Sequence, residues 1–254
     1  MNTFSSWLGQ LLRYFRSLVA IGLLCLVLGS PLPAQATSVS PQLKEQVLQI
    51  IREHPEVVLE SIQAYQLKQQ QKLQQARQAF LQDLKNDPQG LISNSPTTGA
   101  SDSKTILIEF SDFQCPYCAE AHKTLKQLMK KHHNDVKLVY KNFPLNSLHA
   151  EAIPAAKAAW AAHQQGKFWE YHDALFTHQD QLGEDLYLDV AKKLNLDLEK
   201  FEKDREIANT EIQQDIQLAE KLGLSGTPFF IMKSETVSGA VQLTDLEKLL
   251  ARAK

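Results

Sequence analysis

The sequence predicts an α/β chain: a helical N-terminal arm, then a domain in which short buried strands alternate with helices. Three observations carry this. From Pro41 to Asp87 the patterning is helical and broken only at His54-Pro55, where proline removes a backbone donor and restricts the residue before it. Asn86 to Lys104 (NDPQGLISNSPTTGASDSK) has the composition of a connection. Beyond it, two β-branched runs, TILIEF and VKLVYKNF, flank a helix-like segment.

Taken in order, the first 36 residues stand apart. Arg13 and Arg16 precede an apolar stretch from Leu18 to Leu28, followed by Pro31, Pro33 and the small-residue pattern Ala34-Gln35-Ala36. A basic flank, a short apolar core and small residues before the break make a secretory signal, with cleavage expected after Ala36. The apolar run falls short of the roughly 20 residues that a membrane-spanning helix needs. Cleavage takes Cys25 away and leaves Cys115 and Cys118 as the two cysteines of the mature chain. Loss of the two arginines takes the formal charge from −2 to −4. Mild acidity without a basic stripe excludes nucleic acid as an expected partner, and export places the cysteines where disulfides persist.

The arm (37–87) is expected as a short helix over 42–53 and a longer one over 56–86. The second is glutamine-rich, and Val58, Ile62, Tyr65, Leu73, Ala76 and Phe80 recur near a 3.5-residue period, with Gln69 filling one position. That seam fits either self-association through residues 41–86 or a helix folded back on its own domain. A linker over 88–103 and a domain over 104–254 follow. In the domain, Thr105–Phe110 reads as a strand, Gln114–Lys131 as a helix and Val136–Phe143 as a second strand. A helical block runs over about 150–224 and includes Asn209–Lys221. GTPFFIMKSETVSG reads as strand, turn, strand, and LTDLEKLLARA as a closing helix begun by a Thr/Asp cap.

The chemistry lies in FQCPYC. A thiolate is the reactive form of cysteine, and the unpaired N–H groups and dipole at a helix N-terminus stabilise it. Cys115 is expected at the helix mouth, with Pro116 near the first helical position, where its missing N–H costs nothing. Cys118 lies about a turn inside. This order makes Cys115 the thiol that exchanges with substrate sulfur and Cys118 the one that resolves the mixed disulfide. Zinc is the first alternative, with His122, His132 or His133 as further ligands, but a structural zinc site normally pairs two ligand knuckles and there is no second cysteine pair. A purely structural disulfide is the other, though so small a loop restrains the unfolded chain little. Far downstream, Gly226-Thr227-Pro228-Phe229-Phe230 places a proline at a strand start.

With these residues in view the chain resembles the thioredoxin superfamily, and within it the DsbA-like exported thiol-disulfide oxidoreductases. The matching stretches are EFSDFQCPYC (Glu109 to Cys118), YKNFPLNSLHAEA (Tyr140 to Ala152), GKFWEYHDALF (Gly166 to Phe176) and GTPFFI with VSGA (Gly226 to Ile231, Val237 to Ala240). The resemblance implies a thioredoxin fold with a helical insertion between its second and third strands. It implies a cis bond at Thr227-Pro228 beside Cys115, offering a backbone edge to a substrate peptide. Pro116, Tyr117, Gly226, Thr227 and Phe229 are the expected substrate-binding residues. Glu109 matches a buried acidic residue that moves protons at the inner cysteine; the alternative is a carboxylate facing water. His149 matches a structural histidine. PQLKEQVLQIIREHPEVVLESIQAYQ resembles the stalk of ScsC-like proteins, whose arms can associate chains.

The expected activity is formation or rearrangement of disulfides in exported proteins, with the oxidase direction favoured over an oligomeric isomerase. No cofactor or metal is expected. The implied partners are exported proteins bearing cysteines and a membrane redox partner of the DsbB or VKOR type, or a membrane reductant. A non-catalytic chaperone or copper-binding module is the alternative from another class.

Overall fold

A computed structural model describes residues 40–253. The expected signal, its cleavage position and Cys25 lie outside the described residues. The chain divides into two compact units, one ending at Gln63 and the other beginning at Ala64.

In the first unit, α1 (Pro41–Glu53) starts where the Ser40 hydroxyl accepts the Leu43 N–H, and stops before His54. Pro55 opens α2 (Pro55–Asn86), so the expected break at His54-Pro55 is present. Leu43, Val47, Ile50 and Ile51 of α1 and Val57, Val58, Leu59 and Ile62 of α2 are all exposed.

The second unit is built on a five-stranded sheet of order β1-β3-β2-β4-β5. Its strands are β1 (Thr97–Gly99), β2 (Ile106–Ser111), β3 (Lys137–Asn142), β4 (Phe229–Met232) and β5 (Glu235–Ser238). The β2–β3 pair is parallel, joined by the crossover helix α4 (Pro116–His132), and the other pairs are antiparallel. Both central strands are buried along their length, including the polar Glu109, Ser111, Lys137, Lys141 and Asn142.

The stretch expected to be a linker over 88–103 is partly structured. A short helix α3 (Pro88–Ile92) begins where Asp87 accepts the Gly90 N–H with Pro88 at its first position, and β1 then forms an edge strand on β3. The turn and cap residues that read as a connection are the ones that begin α3 and end β1. Gly99, at φ 92°, ends that strand where a Cβ would collide with the Val136 carbonyl. Likewise the C-terminal half of α2 belongs to the second unit, burying Phe80 and Leu84 on the sheet, so the expected arm is not separate as far as residue 87.

Strand alternation sends side chains to two layers. Leu107, Leu138, Phe230 and Met232 face α4 and the closing helix α10 (Leu243–Ala253). Ile108, Phe110, Val139 and Ile231 face α2 and α9 (Asn209–Lys221). The Arg77 guanidinium of α2 donates to the Leu222 carbonyl just past α9, satisfying a group that a helix end leaves open.

Between β3 and β4 the helical block unfolds into α5 (Ala152–His163), α6 (Phe168–Thr177), α7 (Glu184–Lys193), α8 (Leu198–Ile207) and α9. Its alanine-rich α5 packs closely at Ala155, Ala158 and Ala162. That core extends without a break to Phe113, Cys115 and Cys118, so the insertion forms one wall of the cysteine pair. Among the described residues no helix is long and apolar enough to cross a membrane.

Candidate active site

The site lies where β2 ends. Cys115 is the N-cap of α4 in an extended conformation, so the helix begins at Pro116, two residues later than the Gln114 start expected from the sequence. Pro116 occupies the first turn. The reason is in FSDF: buried Asp112 accepts the Gln114 N–H at 2.8 Å, and its carbonyl accepts the Cys115 N–H at 3.1 Å, which holds the turn before the helix. Asp112 also accepts the Leu145 N–H at 2.9 Å and meets His149 Nδ1 at 2.8 Å. The structural role expected for His149 is thus to tie the loop after β3 to the cysteine loop.

Both cysteines are free thiols here. Cys118, wholly buried, donates its N–H to the Cys115 carbonyl at 3.0 Å. The Cys115 thiol donates to the Thr227 carbonyl at 3.4 Å, which brings together residues 112 positions apart. Thr227-Pro228 is cis, as the resemblance implies. The Cys118 thiol, hydrogen-bonded to the Cys115 sulfur, lowers the Cys115 pKa to about 5, outweighing burial, with the Thr227 side-chain hydroxyl and the Cys118 and Tyr117 backbone amides adding to it. Burial and the neighbouring Cys115 charge push Cys118 far upward. At neutral pH the outer sulfur is a thiolate and the inner one a thiol.

Glu109 does not face water. It is 1 % exposed, and both its carboxyl oxygens lack a hydrogen-bond partner among the described residues, as do Ser111 Oγ and Tyr140 Oη. Burial, only partly relieved by the Ser111 hydroxyl, pushes Glu109 up to about 8. Burial raises Tyr140 as well, and charge on Glu109 and on Cys118 adds to that, so the three groups share one neighbourhood. At neutral pH the Glu109 carboxyl is therefore protonated.

Of the residues expected to meet substrate, Tyr117 is 61 % exposed beside Cys115, and Gly226 and Phe229, just before and at the start of β4, are half-buried. Sequence reasoning missed two residues. Asp112, three before Cys115, carried a readable signal, an acidic side chain at a helix entrance. Gln179 carried none: from a 3₁₀ turn in the insertion, its amide nitrogen donates to the carbonyls of Phe113 (2.8 Å) and Cys115 (2.9 Å).

His122, His172 and Asp173 bring one possible ligand atom each within 4.8 Å of one another. The arrangement fits a metal poorly. Lys126 already neutralises Asp173 at 2.7 Å, and His172 Nε2 is buried without the acceptor that normally orients a metal-bound imidazole.

A family model described as thioredoxin matches residues 92–252. The thiol-disulfide exchange protein α-DsbA2 of Wolbachia pipientis superposes with TM-score 0.61 at 24% identity, covering 70% of this chain and 94% of that one. A thioredoxin-like oxidoreductase of Silicibacter pomeroyi gives 0.58 at 33% identity, covering 65% and 96%. ScsC of Proteus mirabilis gives 0.60 at 26% identity, covering 85% and 98%. The chain spans about a quarter of the length of the curated relatives it matches: the Na(+)/H(+) antiporter NhaA 3 of Salinispora tropica is 35% identical over 158 residues, 61% of this chain and 24% of the antiporter. With the cysteine pair at the mouth of α4, the carbonyl of Thr227 against its outer sulfur and the family match spanning the whole sheet, the chain belongs to the thioredoxin family.

Proposed function

We propose that the protein is a DsbA-like thiol-disulfide oxidoreductase that acts on exported proteins through Cys115-Pro116-Tyr117-Cys118, with dithiol oxidation as its favoured direction. The observation that carries this is the placement of Cys115 at the N-terminus of α4, one turn before buried Cys118 and against the Thr227 carbonyl, where its thiolate is stabilised. Stabilising the outer thiolate stabilises the reduced enzyme, which makes the enzyme's disulfide a stronger oxidant.

In the proposed reaction a substrate thiolate, laid along the backbone at Gly226, Thr227 and Phe229, attacks Cys115 Sγ of the enzyme disulfide. The Cys115–Cys118 bond breaks, and Cys118 leaves and takes a proton from Glu109. The second substrate thiolate then attacks the substrate sulfur of the mixed disulfide and expels Cys115 as a thiolate. The substrate loses two electrons and the enzyme gains them. A membrane partner of the DsbB or VKOR type would return the enzyme to its disulfide. Equilibration with glutathione tests the direction: a potential near −120 mV, on the order of the strongest oxidants, supports the oxidase, and one near −270 mV overturns it.

The second reading, an oligomeric isomerase kept reduced by a membrane reductant, is favoured by the exposed apolar residues of α1 and the start of α2. Light scattering with and without residues 37–63 tests whether those helices associate chains. Replacing Cys115 by serine separates both readings from a chaperone role, because holdase activity survives it and disulfide chemistry does not.

A further inference from the structure

We propose that a cavity at the end of the sheet remote from the cysteines binds a small amphipathic anion, a single apolar tail carrying a carboxylate or phosphate. The cavity has a volume of about 790 Å³, within the range of roughly 300–1,000 Å³ typical of small-molecule sites. It opens where β2 and β3 begin, at Ile106 and Lys137, and β2 separates it from the cysteine loop by six residues, about 20 Å of strand.

Two kinds of wall meet there. Leu81 and Leu84 of α2, Pro88 and Ile106 supply an apolar floor. Lys85, Lys104, Lys137 and Lys233 converge on the same space from α2, the loop before β2, β3 and the β4–β5 turn. Asp102 is the one carboxylate in the lining among the described residues, and the Ser101 hydroxyl donates to it.

Lys137 is the decisive residue. It is 8 % exposed, lies on the same face of β3 as Val139 and Lys141, and lines the cavity, yet no ion pair or side-chain hydrogen bond to it is present among the described residues. Its strand neighbour Lys141 shows the ordinary solution, with Asp215 at 3.0 Å. Lys137 buries its stem, but its ammonium is not among the buried polar atoms, so it reaches the cavity as a cation with no protein counter-ion among the described residues. An anion seated on the apolar floor supplies that partner, and the surrounding lysines reinforce the field that draws it in. The apolar floor distinguishes this ligand from a bare inorganic ion.

Calorimetric titration of the full protein with monomeric dodecanoate and dodecyl phosphate tests the assignment, with dodecanol and inorganic phosphate as controls. One-to-one binding of at least one anionic amphiphile is expected, weakened about tenfold or more by Lys137→Met and by replacing the head group with the alcohol. Which anionic head binds tighter identifies the carboxylate or phosphate source. In parallel, the bound amphiphile should protect Lys137 from acetylation, read by mass spectrometry on the unmutated protein. No stoichiometric binding, equal affinity for dodecanol, or unchanged acetylation of Lys137 would overturn the proposal. Inorganic phosphate binding as tightly as dodecyl phosphate would also do so, since the floor would then contribute nothing.

Discussion

Glu109 and Tyr140 stand opposite one another across the parallel β2–β3 ladder, and their side-chain oxygens end in the same interior space without hydrogen-bond partners among the described residues. An unsatisfied buried carboxyl is expensive when charged, so Glu109 stays neutral here. Its consequence is measurable as a pH dependence. Glu109 is raised from 4.5 to about 8, so its favourable contribution is complete below about pH 4.5 and is lost as pH rises toward 8. Glu109→Leu should therefore melt higher than the unmutated protein at pH 8, by a few kcal/mol in stability, with the advantage shrinking toward pH 4. Thermal denaturation across that range checks it; an advantage that grows on acidification would reject the buried neutral carboxyl.

The same carboxyl should matter to rate. Glu109→Gln keeps shape but cannot give up a proton, so protonation of departing Cys118 must rely on solvent. Oxidation of a model dithiol peptide should slow by about 10²-fold, a modest general-acid effect. The rate should also lose its inflection near pH 8. Stopped-flow fluorescence over pH 5 to 9 reads both, and an unchanged pH profile would assign the proton to another group.

Cys115 and Cys118 titrate far apart, which fixes how the reduction potential varies with pH. Above about pH 5 the reduced pair holds one proton, on Cys118, and below it two. The potential should change by about 30 mV per pH unit above that point and about 59 mV below it. Linkage gives the same sign: the lowered Cys115 pKa stabilises the reduced protein at high pH, and this is lost as pH falls through about 5. Glutathione equilibration at several pH values locates the break, and alkylation by iodoacetamide should lose half its rate at the same pH.

These features were unevenly legible in the sequence. Cys115 at a helix mouth could be read because Pro116 and the strand before it are local signals, and α9 spans the residues its amphipathic pattern marked. The edge strand Thr97–Gly99 could not: three residues without apolar alternation become a strand only because β3 offers an open edge. Gln179 was invisible for a related reason. Its role depends on the insertion returning it to the Cys115 carbonyl, 64 residues back along the chain. The helical seam from Val58 to Phe80 had the right period but two fates, since Phe80 is buried on the sheet while Val58 and Ile62 are exposed. Period alone does not say which partner covers a face.

Lys141 and Asp215 form an ion pair 3.0 Å apart, and Asp215 also accepts the Asn142 backbone and side-chain N–H groups. It joins β3 to α9, and so ties the sheet to the last helix of the insertion that walls the cysteines. Removing one partner strands the other charge in the interior, so Asp215→Ala should destabilise by roughly 3–5 kcal/mol. Lys141→Met together with Asp215→Leu should recover most of that loss, because a packed apolar pair of similar volume avoids the cost of burying both ions. Urea unfolding of the two variants measures the difference. A double variant no more stable than Asp215→Ala would mean that the Asn142 hydrogen bonds, rather than the ion pair, hold α9 to the sheet.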